Sequence, residues 1–136
     1  MSVPTPRRVL VVEDDMVTQC LLSGLLDSWG YEVHTASNGR EGMAVLRCVG
    51  ADVVITDIIM PEQDGFATIA LLRRDFPDVK VIAISGGAAA LDMESAIRTA
   101  HVIGADFVLP KPLNTVSLEK ALAAFDDMAA PAHGIA

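Results

Sequence analysis

The chain has 136 residues, a formal net charge of −8 and a hydrophobic fraction of 51%. That length suits one domain around one core, and the apolar content excludes a disordered chain. The acidic balance argues against unaided nucleic-acid binding, which rests on clustered Lys and Arg.

Residues 1–6 read as a loose tail. The run RVLVVE, Arg8–Glu13, is short and rich in Val and Leu, as a buried parallel strand should be. It meets Glu13, Asp14 and Asp15 too soon for the apolar region of a signal peptide. No apolar run reaches the roughly 18 to 20 residues of a membrane span. The expectation is a cytoplasmic protein without a membrane segment.

Leu21, Leu22, Leu25, Leu26 and Trp29 repeat at helical spacing despite Gly24. Tyr31–Thr35 alternates and suits an edge strand. Asn38 is a good N-cap for the helical segment GREGMAVLRCVG, and Gly50 a plausible stop. Cys20 and Cys48 lack a CxxC spacing and fall in apolar helical patterns, which predicts two small buried side chains.

Asp52–Thr56 is a second buried run, followed by Asp57. Phe66, Ile69 and Ala70 give a third helix its stripe, ended by Pro77. Val79–Ile84 is the next strand, closed by Ser85 and the glycines 86 and 87. Met93, Ala96, Ile97 and Ala100 mark a fourth helix, and Asp106–Leu109 a fifth strand, just before Lys111. Leu118, Leu122 and Phe125 mark a fifth helix, and 129–136 reads as a second loose tail. Met1 and the loose ends set the expectation of a complete chain, against the alternative of a segment excised from a longer protein.

Strand and helix alternate five times, which predicts a doubly wound α/β sheet with right-handed crossovers. In such sheets ligands collect at the carboxyl ends of the strands. Glu13, Asp14, Asp15, Asp57, Ser85 and Lys111 all fall there. Singly, EDD could cap a helix, Ser85 could be turn chemistry and Lys111 a solvated surface residue. Together on one rim, the carboxylates would repel one another unless a cation or lysine offsets them. Oxygen-only ligands with room for water suit Mg²⁺.

The motifs VLVVEDD at 9–15, DIIMPEQDG at 57–65, ISGG at 84–87 and Lys111-Pro112 resemble the receiver domain of bacterial response regulators over residues 7–128. The resemblance implies a flavodoxin-like five-stranded sheet of order 2-1-3-4-5 with five helices. It implies Asp57 as the phosphoacceptor. It implies Mg²⁺ held by Asp14, Asp57 and the backbone carbonyl of Ile59, with Glu13 acting through water. Asp15 then falls outside the site, as a helix-start residue. Ser85 and Lys111 would contact the phosphoryl group, with Pro61, Gly65, Gly86 and Pro112 shaping their loops. The phosphodonor would be a sensor histidine kinase or a histidine phosphotransfer protein. The output would be altered binding to a downstream protein through the last two helices and the last strand, with no catalysis beyond the chain's own phosphorylation and dephosphorylation.

Two positions depart from that pattern. The family's switch aromatic stands three residues before the lysine, where this chain has Val108; Phe107, one place earlier, belongs on the opposite face of a strand. Either a local bulge restores Phe107 to that role or the output runs through the loop. Ser85 and Lys111 are also further apart than the family pattern, with the extra length in GGAAALDMES. Ile59 and Gly87 offer nothing to orient a water, which implies slow spontaneous loss of phosphate. His34 and His101 read as ordinary polar residues. Competing readings are a phosphatase working through an aspartyl phosphate, which would want a second acid at Ile59, and a pseudo-receiver, which would lack a site residue.

Overall fold

The computed structural model describes residues 7–60, 63–85, 98, 101, 104–110 and 113–134. In chain order the elements are β1 (Arg8–Val12), α1 (Met16–Ser28), β2 (Glu32–Ala36), α2 (Gly39–Cys48), β3 (Val53–Asp57), β4 (Ile59–Met60), β5 (Gln63–Asp64), α3 (Gly65–Asp75), β6 (Lys80–Ser85), β7 (Phe107–Pro110) and α4 (Thr115–Gly134). The five long strands pair in parallel in the order β2-β1-β3-β6-β7. Taken in sequence this is 2-1-3-4-5, the expected flavodoxin-like arrangement. The short β4 and β5 form a separate antiparallel pair, Ile59 with Asp64 and Met60 with Gln63, which the sequence did not announce.

Alternation along the strands divides the core into two layers. Val9 and Val11 of β1 face one way with Leu22 and Leu26 of α1 and Leu118 and Phe125 of α4. Leu10 and Val12 face the other way with Met43 and Leu46 of α2 and Ile69 and Leu72 of α3. Both layers are apolar because a parallel sheet is covered on both faces. The second layer is tight: a Cβ on Gly42 would lie 2.8 Å from Cγ2 of Val12, so α2 can approach β1 this closely only with glycine there.

Each of the first two helices starts on a side-chain cap. Asp15 accepts from the Thr18 N–H at 3.0 Å and from its hydroxyl at 2.5 Å. Asn38 accepts from the Glu41 N–H at 2.9 Å, while Glu41 accepts from the Ser37 N–H at 3.0 Å. These reciprocal bonds satisfy donors that the first turn leaves open. At the sheet edge Glu32 takes bonds from Arg8 and His34. The Arg8 bond first, and the His34 bond after it, hold the Glu32 carboxyl below its ordinary range.

Several side chains face differently from expectation. The buried stripe of α1 is Gln19, Leu22 and Leu26, while Leu21 is 69% exposed and Leu25 and Trp29 are half-buried. A run this rich in leucine fixes the helix but not its rotational phase. The same ambiguity leaves Ala70 exposed where Thr68 and Leu72 are buried, and leaves Cys20 and Cys48 both exposed. Beyond residue 128, where a loose tail was expected, α4 continues to Gly134. The good helix formers Met128, Ala129 and Ala130 carry it there, although Pro131 and Gly134 are poor ones. The expected fourth helix falls on residues 93–100, of which only Arg98 lies among the described residues; Arg98 and His101 are helical and exposed. Residues 1–6 and 86–95 lie outside the described residues. None of the described helices is long and apolar enough to cross a membrane.

Opposite the site end of the sheet, Arg73 of α3 ties three segments together. Its Nε donates to the Gly104 carbonyl at 2.6 Å, Nη1 to the Val79 carbonyl at 2.8 Å and the Pro77 carbonyl at 3.2 Å, and Nη2 to Asp106 at 2.5 Å. Asp106 in turn accepts from the Val81 N–H at 2.8 Å. Gly104 sits at φ +122, and a Cβ there would run into the Arg73 aliphatic chain. Arg73→Ala should therefore lower unfolding free energy by about 2–3 kcal/mol, from lost bonds to partly buried carbonyls and an unpaired Asp106. Arg73→Lys should recover little, because a single ammonium cannot fork to four acceptors. Urea denaturation measures both, and an Arg73→Ala midpoint equal to wild type would refute the staple.

Candidate functional site

Strand register sets the rim. Val12 pairs with both Ala36 and Thr56, so the residue after β1, Glu13, leaves the sheet beside the end of β3. Asp57, the last residue of β3, pairs with Ile84, and Ser85 pairs with Pro110. The last residues of three neighbouring strands, and the residue that follows a fourth, thus lie side by side along one end of the sheet. Lys111 and Pro112 follow Pro110 directly and lie outside the described residues, as do Pro61 and Gly86.

The carboxylates of Glu13, Asp14 and Asp57 each bring an oxygen within 4.8 Å of the other two. Glu13 and Asp57 are almost wholly buried, at 1% and 3% exposure, and Asp14 is exposed. Asp57 is held as a strand residue with its successor fixed too, since the Ile58 N–H donates to the Ile84 carbonyl at 2.9 Å. The Thr56 hydroxyl, fully buried, donates to the Asp57 carbonyl at 3.2 Å. Glu13 is fixed through its N–H, which donates to the Ala36 carbonyl at 2.9 Å, and through its carboxylate, which accepts from the Asp15 N–H at 3.1 Å. Asp15 is committed to capping α1.

Three carboxylates this close, two of them out of water, repel one another strongly when all are ionised. The arrangement suits a cation. Its donors are all oxygens, which match a hard ion such as Mg²⁺ rather than a sulfur- or imidazole-seeking one. The exposed Asp14 leaves one side open to water, which Mg²⁺ gives up reluctantly. The residues present therefore fit the metal that the sequence pattern implies.

Ile59 begins β4 and Gly65 begins α3, so the segment after Asp57 folds back as a two-residue ladder and then enters a helix. Phe107 and Val108 face opposite ways. Phe107 stacks obliquely on Phe125 of α4, ring centroids 5.2 Å apart, and Val108 packs into the layer of α2 and α3. The β6–β7 register runs unbroken from Ile82–Phe107 to Ser85–Pro110, so no bulge turns Phe107 to the other face.

Gln19 is not among the residues expected from the sequence. This α1 residue is 8% exposed, and its Nε2 donates to the carbonyls of Glu13 at 3.0 Å and Ala36 at 3.3 Å. A signal was available: Gln19 stands three before Leu22 and seven before Leu26, on the stripe that faces the core.

The family model of the response regulator receiver domain matches residues 9–123. The chemotaxis protein CheY of Treponema pallidum is 36% identical over 112 residues, covering 80% of this chain and 75% of that protein. The sensor kinase CckA of Brucella abortus is 36% identical over 113 residues, covering 81% of this chain but only 11% of the kinase. The transcriptional regulatory protein ZraR of Escherichia coli is matched over 26% of its length, so this chain spans a small part of such longer relatives. Among solved structures, the CheY-like receiver domain protein of Methanospirillum hungatei superposes with a TM-score of 0.80 at 27% identity, covering 90% of this chain and 96% of that one. With the sheet order, the acid cluster and these matches in agreement, the chain belongs to the response regulator receiver domain family.

Proposed function

We propose that this receiver accepts a phosphoryl group on Asp57 and signals by changing how it binds a protein partner. The observation that carries the reading is Asp57 itself, a nearly buried carboxylate at the end of the central sheet with two more carboxylates within 4.8 Å. A carboxylate oxygen of Asp57 attacks phosphorus in a phosphohistidine of the donor. An O–P bond forms, the N–P bond breaks, and the imidazole leaves with the bonding pair and takes a proton. The apolar strand behind Asp57 holds the carboxylate still, which serves a reaction governed by positioning and charge.

Mg²⁺ would be held by Asp14, Asp57 and the Ile59 carbonyl, with Glu13 acting through water. When bound, it supplies neutralisation of the charge gathered between carboxylates and phosphoryl oxygens. Lys111 offsets a further phosphoryl oxygen, and Ser85 donates a hydrogen bond once the group has arrived. Pro61, Gly65, Gly86 and Pro112 shape the loops that present these residues. Ile59 and Gly87, which cannot orient a water, leave the acyl phosphate long-lived without a partner's help. The chain catalyses only its own modification, in the cytoplasm. A phosphatase reading is weaker because Ile59 stands where a general acid would be needed.

The donor, a histidine kinase or histidine phosphotransfer protein, must bring its ring to Asp57. The surface next to the acids suits it. Met16 and Val17, in the first turn of α1 just after Asp14 and Asp15, are 61% and 66% exposed, and Leu21 lies one turn on. Beside them Leu21, Leu22, Leu25, Ile84 and Leu113 line a largely apolar cavity of about 470 Å³. Exposed apolar side chains gathered in this way mark a contact surface.

Incubation with acetyl phosphate and Mg²⁺ should add one phosphoryl group to the wild type and none to Asp57→Asn, read by intact-mass spectrometry. Equal labelling of both would sink the assignment. Lys111→Ala should keep its Mg²⁺ affinity but lose the response of partner binding to phosphorylation; a normal response would remove lysine from the switch. Leu21→Asp should slow transfer from a phosphohistidine protein by about tenfold or more, the loss expected when a buried apolar contact becomes a charge. Its labelling by acetyl phosphate, which needs no docking surface, should match wild type. Slowing of both reactions alike would show that the surface is not a docking site.

A further inference from the structure

We infer that Gln19 is a positioning residue for the metal-holding acids, an inference that rests on the Mg²⁺ reading above. Its Nε2 donates to the Glu13 carbonyl at 3.0 Å and to the Ala36 carbonyl at 3.3 Å. The Ala36 carbonyl also accepts from the Glu13 N–H at 2.9 Å. These three bonds close a triangle in which both backbone polar groups of Glu13 are held, one by the end of β2 and one by α1. Because both partners of the side chain are carbonyl oxygens, the amide nitrogen must face them, and the orientation follows from the chemistry.

Gln19 also meets Asp15 through its main chain, in the ordinary i to i−4 bond that opens α1. Its N–H donates to the Asp15 carbonyl at 2.9 Å, while the Asp15 N–H donates to the Glu13 carboxylate at 3.1 Å. The segment Glu13-Asp14-Asp15 is thereby bracketed at both ends by one helical residue. A backbone fixed this way sets where the Glu13 and Asp14 carboxylates stand relative to Asp57, whose own position comes from β3. Like-charged ligands drift apart when nothing holds them, so an unclamped segment would meet the cation with its acids spread.

Burial of an amide is a poor way to stabilise a helix–sheet contact, because its polar atoms must be desolvated before they bond. Leu22 and Leu26, on the same stripe and buried to a similar degree, do that work with apolar contact alone. The polar residue occurs at the one place on the stripe that reaches the end of β1. Its bonds go to the acid-bearing segment and to the neighbouring strand end.

Gln19→Met keeps the volume and removes the donor. With Mg²⁺ alone as ligand, calorimetric titration of the folded full chain should show affinity weakened by about tenfold, the low end of what loss of a supporting partner costs a metal site. Leu26→Ala, on the same stripe, should lower the urea midpoint and leave Mg²⁺ affinity unchanged, separating positioning from general stability. Equal Mg²⁺ affinity in wild type and folded Gln19→Met would overturn the inference. Should Gln19→Met fail to fold, the wild type still decides: the Gln19 side-chain amide resonances should shift with the same Mg²⁺ dependence as the Asp57 backbone amide, and unmoved resonances refute the role. A wild type that binds no Mg²⁺ would overturn the metal reading itself, an outcome distinct from either.

Discussion

Repulsion among Glu13, Asp14 and Asp57 is the constraint around which the rest of the molecule is arranged. Two of the three are withdrawn from water, yet their oxygens stand within 4.8 Å of one another. A cluster of this kind would relax apart if its backbone could move. Here it cannot move easily. Asp57 is the terminal residue of a strand buried on both faces, and Glu13 has its N–H and its carbonyl bonded to fixed partners. The apolar layers therefore do more than stabilise the fold. They convert burial free energy into fixed positions for charges that oppose being there.

The two ends of the sheet divide the labour. At one end Arg73 neutralises Asp106 and fills the carbonyls of Pro77, Val79 and Gly104, so charge and hydrogen bonding are balanced within the chain. At the other end the described residues carry an excess of negative charge. An internally balanced end has no need of a ligand, while the acid cluster at the other could hold a cation. Segregating the two lets a change at the acid end occur without loosening the staple that joins α3, β6 and β7.

Much of this was legible in the sequence. Four apolar runs and the alternating Tyr31–Thr35 place the five long strands within one residue of their observed ends, because continuous Val, Ile and Leu leave little choice. Both side-chain caps and the stop at Gly50, which takes φ +82, follow from local chemistry. Helix phase was less legible: with leucine at 21, 22, 25 and 26, several rotations bury a stripe, and only the sheet selects Leu22 and Leu26. The β4–β5 pair is too short to have a period. The importance of Gln19 depends on where the Glu13 and Ala36 carbonyls lie, which is tertiary information that no local pattern contains.

Phe107 shows how one residue of register can decide a route of communication. Its ring packs on Phe125 in the layer shared by α1 and α4, and the unbroken ladder with β6 fixes it there. To turn onto the face of Val108 the ring would have to cross the sheet, which means slipping β7 by one residue and exposing core surface. Val108, on the face where an aromatic ring would be wanted, is smaller and already packed against the layer of α2 and α3. It offers a short lever where a ring would offer a long one. Movement at Ser85 can still reach β7 through the backbone, because Ser85 and Pro110 are paired and Pro110 adjoins Lys111. Among the described residues, the ladder from β3 through β6 to β7, and not the Phe107 ring, is the continuous physical link between Asp57 and Pro110.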